Sequence, residues 1–193
     1  MESDSGEPAF IRHDTSRAMA INLLDNPVWH ALTGSHRAHA FGCGEARHYP
    51  RDIAPFSAIA EPSAQAYADL AADLPANTEA RLFRPSVESL PDGWEEIDRF
   101  PMLQMVASGG SNGSDSVASL LSMADIAAMM DLVVATKPGP FGPRTPLLGR
   151  YLGIWHGDRL VAMAGERLRV LGTSSLARSA CTPRRGARDM PSL

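Results

Sequence analysis

The sequence predicts an α/β fold, of the α+β kind, and three observations carry that expectation. Apolar residues recur at helical spacing in several separate stretches. One segment, "RYLGIWHGDRLVAMAGERLRV", reads as two strands joined at a tight "HGD" turn. A run of glycine and serine, "ASGGSNGSDS", divides the chain as a linker would. The 193 residues suit one sizeable domain or two small ones, and 44% hydrophobic with 21% charged content is that of a globular protein.

The elements follow in order. In "TSRAMAINLLDNPVWHALTG" Asp14 or Thr15 caps a first helix, Pro27 opens a second, and Gly34 closes it. "APFSAIA", after Tyr49-Pro50, reads as a short buried strand. Ser63 caps a helix with Ala64, Tyr67, Ala68 and Ala71 on one face, which stops before Pro75. "EARLFRP" and "WEEIDRFPMLQMVA" carry strand-like runs on either side of a Pro91–Gly93 turn. The linker, residues 107–116, separates an N-terminal half-lobe (1–106) from a second lobe (117–193). In that lobe Ser122 caps a helix with Ile126, Met129, Met130 and Val133 on its apolar face, ending before Pro138. The loop "KPGPFGPRTP" then leads into the hairpin. An isolated hairpin is marginal in water and wants a third strand and a covering helix. The pattern displays neither, and from residue 171 onward it has no period, so 171–193 reads as a disordered tail.

Charge and composition narrow the function classes. A net charge of −4 gives no electrostatic reason for nucleic acid or a membrane surface as partner. No apolar run approaches the ~18 residues of a spanning helix. "MESDSGEPAF" lacks the basic and apolar regions of a signal peptide. Cys43 and Cys181 make no disulfide framework. A cytoplasmic protein is expected.

The genetic code offers a reading of the tail, in which each codon's third base joins the first two bases of the next. Met190 is ATG and Pro191 begins CC, so the shifted codon is GCC, alanine. Asp189 with Met190, and Cys181 with Thr182, each yield His or Tyr. Carried back to Val170, the tail is compatible with a hidden "VPG…ELSAVC-x-HPEARGQGYA". Together with "NPVWHALTGSH" and "KPGPFGPRTPLLGRYLGIWHGDRLVAMAGERLRV", that string resembles the GNAT superfamily of acetyl-CoA-dependent N-acetyltransferases. The likeness covers most of the chain and is strongest from Ile126 to Val170.

The resemblance implies a mixed, mostly antiparallel sheet with flanking helices, from which the C-terminal half of the acetyltransferase lobe is missing. It implies acetyl-CoA as cosubstrate, bound through its pyrophosphate by an Arg/Gln-x-x-Gly-x-Gly/Ala loop and helix N-terminus that follow a central strand. That loop is not spelled in frame, so little or no activity is expected of the chain as it stands. A non-catalytic binding module and a pseudogene product are the alternatives. The acceptor is a small-molecule or protein amine.

Acetyl transfer needs a neutral amine, a base for its proton, and donors for the developing oxyanion. Glu166, in "AGER", is the candidate base, directly or through water; the alternative is a solvent-facing strand carboxylate paired with an arginine. Phe141, Arg144 and Thr145 precede the hairpin, where the resemblance places substrate-facing residues, and Arg144 has the fork to hold a carboxylate. Loop scaffolding is the competing role for these three. His30, His36, His39, Cys43 and His48 crowd one stretch, but their spacing matches no standard zinc site and no metal is expected.

Overall fold

The computed structural model describes residues 23–104, 117–170 and 178–181. The proposed linker, the helix capped by Asp14 or Thr15, and most of the tail lie outside them. Helix α1 (Pro27–Thr33) starts with proline, whose fixed φ and missing N–H suit a first turn, and ends where the Gly34 N–H donates to Ala31 O at 3.2 Å. Strands β1 (Ala46–His48) and β2 (Ser57–Ile59) pair antiparallel, with Arg47 opposite Ala58. Helix α2 (Ala64–Asp73) is capped by Ser63, whose hydroxyl accepts from the Ala66 N–H at 3.1 Å.

The buried face of α2 differs from the expected one. Ala66, Tyr67 and Leu70 are buried against Ala46 and Ile59, while Ala64, Ala68 and Ala71 stay exposed. Burying Tyr67 and Leu70 removes far more apolar area than burying alanines, so the two large side chains set the rotation. The strand-like runs that follow are also corrected, since no ladder forms on them among the described residues. One bond, Ser57 N–H to Arg81 O at 3.0 Å, ties the first run to β2. Aromatic contacts do the rest: Phe83 meets Phe56 edge-on at 5.1 Å and Trp94 meets Tyr67 at 5.3 Å.

The second lobe is one four-stranded antiparallel sheet in the order β3-β4-β5-β6: Ser119–Leu121, Tyr151–His156, Arg159–Glu166 and Arg178–Cys181. β4 and β5 form the expected hairpin around Gly157, which takes φ +59°. The hairpin has flanking strands after all. Three residues beside the Gly/Ser run make β3, too short for a period to announce it, and Arg178–Cys181 lies along β5 with Ser179 opposite Gly165. Helix α3 (Ile126–Thr136) covers one sheet face, entered through a capping box between Ser122 and Asp125 and closed by Lys137 at φ 47°. Met129 and Leu132 are its buried residues, with Ile126 and Val133 half-buried beside Tyr151 and Met163. The other sheet face leaves Leu120 and Leu152 exposed.

The lobes share a core. Leu148 and Leu168 of the second pack among Val28, Leu32, Tyr49 and Phe56 of the first. The loop before the hairpin is therefore held from both sides.

Candidate active site

The loop from Phe141 to Leu148 is fastened to the Pro50–Ala54 turn by backbone and side chain together. A Cβ on Gly142 would lie 2.4 Å from Asp52 O, so only glycine permits this approach. Arg144 donates from its N–H to Asp52 O and from its guanidinium to Asp52 Oδ2, both at 3.1 Å. The Thr145 hydroxyl donates to Ile53 O at 2.6 Å and accepts from the Gly142 N–H at 2.8 Å; Thr145 is 0% exposed. Thr145 and Arg144 thus hold the loop in place. Phe141 is half-buried, edge-on to Tyr151 at 5.8 Å, and lines a small cavity.

Glu166 ends β5 on the far side of this loop. Its N–H donates to Arg150 O at 2.9 Å, and its Oε2 accepts from the Arg150 N–H at 3.1 Å and from the Arg169 guanidinium at 2.6 Å. A Cβ at Gly149 would come within 2.5 Å of Glu166 Cβ, so glycine is required for the two chains to meet here. Desolvation pushes the Glu166 pKa up, but hydrogen bonds from Arg169 and Arg150, with their charge, outweigh it and hold the carboxyl below its usual range. Glu166 is ionised at neutral pH and pairs with Arg169.

Behind the same turn lies His36, 4% exposed, whose Nδ1 is 2.8 Å from the Tyr49 hydroxyl. Among the described residues its Nε2 makes no well-formed hydrogen bond. Burial is the main reason its pKa falls to about 4; the charges of His39 and Arg169 lower it further, while the Leu148 backbone and Glu166 act the other way. The same burial pushes the Tyr49 hydroxyl well above its ordinary value. Two of the crowded histidines have separate partners, His36 with Tyr49 and His48 with Asp73, whose Oδ2 lies 2.5 Å from His48 Nε2, and Cys43 is exposed. Among the described residues no group of three or more His, Cys, Asp or Glu is placed to hold a metal ion.

One residue the sequence reading passed over is Arg167. It is 9% exposed, its guanidinium lies over the Phe56 ring at 5.6 Å, and it donates to Pro140 O. Among the described residues its buried Nε has no partner. The signal was present in "MAGER": Met163, Gly165 and Arg167 alternate on the buried side of the strand, and an arginine in that register calls for explanation.

No family model matches the sequence, and no curated protein matches it at a significant level. A solved structure does. The chain is 34% identical to a crystal structure from Novosphingobium aromaticivorans, assigned there as an acetyltransferase from the GNAT family. The match spans 85% of this chain and 74% of that one, at a TM-score of 0.72. With the antiparallel sheet, flanking helices and hairpin register described above, the chain belongs to the GNAT family of acetyltransferases. Among the described residues no helix is long and apolar enough to cross a membrane. The loop expected to hold the pyrophosphate of coenzyme A is not spelled in frame, and the positions after β6 where it would follow, residues 182–193, lie outside the described ones.

Proposed function

We propose that this lobe carries out N-acetylation of a small-molecule or protein amine, with acetyl-CoA supplying the acetyl group as an activated thioester. The observation that carries the reading is the likeness to a GNAT structure at 34% identity over 85% of the chain. Glu166 accepts the amine proton through water. Its carboxylate is ionised, 21% exposed, and fixed by Arg150 and Arg169, which favours a steady position over high basicity.

Release of the coenzyme A thiol in the presence of an amine panel tests the activity. Glu166→Gln keeps the shape and removes the proton acceptor. It is expected to lower kcat on the order of 100-fold with little change in KM for acetyl-CoA. An unchanged kcat assigns Glu166 to the Arg150–Arg169 junction alone.

The in-frame tail does not spell Arg/Gln-x-x-Gly-x-Gly/Ala, and we propose that the chain turns over slowly for that reason. A version translated in the shifted frame from residue 171 onward is expected to regain the backbone anion site and with it acetyl-CoA affinity. Turnover by the 193-residue chain at the same rate as the shifted version overturns this part of the proposal. Should neither version release coenzyme A while both remain folded, a non-catalytic binding role is the reading that stands.

A further inference from the structure

From the setting of Arg167, we infer that the cavity beside it is a carboxylate subsite, and that the acceptor is a small amine carrying a carboxylate, an amino acid in the simplest case. The Pro138–Phe141 turn, Tyr151, Met163 and Arg167 line this cavity of about 10 Å3. That is room for roughly one water-sized group by the usual ~10–15 Å3 threshold. A guanidinium has five N–H donors and no neutral form within reach, so a buried one is normally matched to carboxylates. Arg167 has one carbonyl, that of Pro140, and the face of Phe56. Among the described residues no carboxylate pairs with it, although Asp or Glu pairs with Arg81, Arg84, Arg99, Arg144 and Arg169. Its Nε stays buried and unpaired.

The surroundings select the ligand. The Phe141 and Tyr151 rings, edge-on at 5.8 Å, make an apolar wall, and prolines at 138 and 140 stiffen the opposite rim. One oxygen of a terminal carboxylate matches the room of this cavity and would pair with the guanidinium where little solvent screens it. The role that the sequence suggested for Arg144 thereby passes to Arg167, because Arg144 is already paired with Asp52. Glu166 turns away from this cavity toward Gly149, Arg150 and Arg169, so the subsite and the proton acceptor are separable by experiment.

The inference rests on the amine-acetylating reading for the word acceptor, but the carboxylate subsite is tested without acetyl-CoA. Calorimetric titration of the full chain with a panel of amino acids and their carboxamides compares ligands with the same amine, with and without the acid group. At least one amino acid is expected to bind about tenfold or more tightly than its carboxamide, the worth of one charge-assisted pair. In Arg167→Met, checked for an unchanged far-UV spectrum, that ratio is expected to fall to about one, with part of it retained in Arg167→Lys. Equal binding of acid and amide across the panel overturns the inference, as does a ratio that survives in Arg167→Met. Should the Met variant not fold, the wild-type ratio decides alone. Carboxylate preference without coenzyme A release would keep the subsite and discard the acetylation reading.

Discussion

The first lobe holds together with little regular ladder. Strands β1 and β2 have three residues each, and the chain from Pro75 to Gln104 runs beside them held by ring contacts and isolated bonds such as Ser57 N–H to Arg81 O at 3.0 Å and Gln104 Nε2 to Leu24 O at 2.9 Å. The second lobe relies instead on an eight-residue β5, paired on both sides, with a helix on one face. In the first, side chains choose the backbone path; in the second, backbone hydrogen bonds choose it and side chains fill the gaps. The loop residues Gly142, Arg144 and Thr145 fall where the two systems meet, against Asp52 and Ile53, while Glu166 is fixed within the second lobe against Gly149 and Arg150. A site at such a seam is positioned by both lobes and is sensitive to damage in either.

The seam can be broken in graded steps. Leu148→Ala leaves a hole in the shared core and is expected to cost about 3 kcal/mol, read by chemical denaturation; loss of less than about 1 kcal/mol would mean the lobes are held elsewhere. Acid acts on the first-lobe side of the same seam. His36 has a native pKa of about 4 against 6.5 unfolded, so the folded state resists its protonation. Stability is full above pH 6.5 and declines as pH falls toward 4, by about 3 kcal/mol at 1.36 kcal/mol per pK unit. His36→Gln should remove that slope, and a slope that persists unchanged assigns it to other groups. Thr145→Val keeps the volume but strands Ile53 O and the Gly142 N–H, with an expected cost of about 2 kcal/mol. Arg144→Ala breaks an ion pair whose side chains are 50% and 44% exposed, and should change stability by less than about 0.5 kcal/mol. An Arg144 effect larger than that of Thr145 would reverse the assignment of which residue fastens the loop.

Regular features were legible in the sequence for physical reasons. Pro27 and Gly34 bracket α1, Ser63 and Ser122 cap their helices, and "HGD" turns the hairpin, because each of those residues satisfies a local backbone requirement by itself. Long-range decisions were less visible. The face of α2 followed from what Tyr67 and Leu70 find on β1 and β2, and the "WEEIDRF" alternation had no partner edge to ladder with among the described residues. At the site, Glu166 was recognisable as a strand-end carboxylate, but its engagement with Arg150 depends on how closely Gly149 lets the chains approach. Arg144 and Thr145 were found by position in the loop, while their partners, Asp52 and Ile53, come from the other lobe and no local pattern names them. Arg167 was hidden by its neighbours: "ERLR" looks like a solvated charge run until the strand register is drawn.

The most direct test is coenzyme A thiol release, measured with an amine panel for the 193-residue chain and for its counterpart translated in the shifted frame from residue 171. Rapid release by the shifted protein and slow release by the chain is the expected result, with Glu166→Gln slowing the faster of the two. No release by the shifted protein, although it folds and binds acetyl-CoA, would contradict the assignment of acetyl transfer to this lobe.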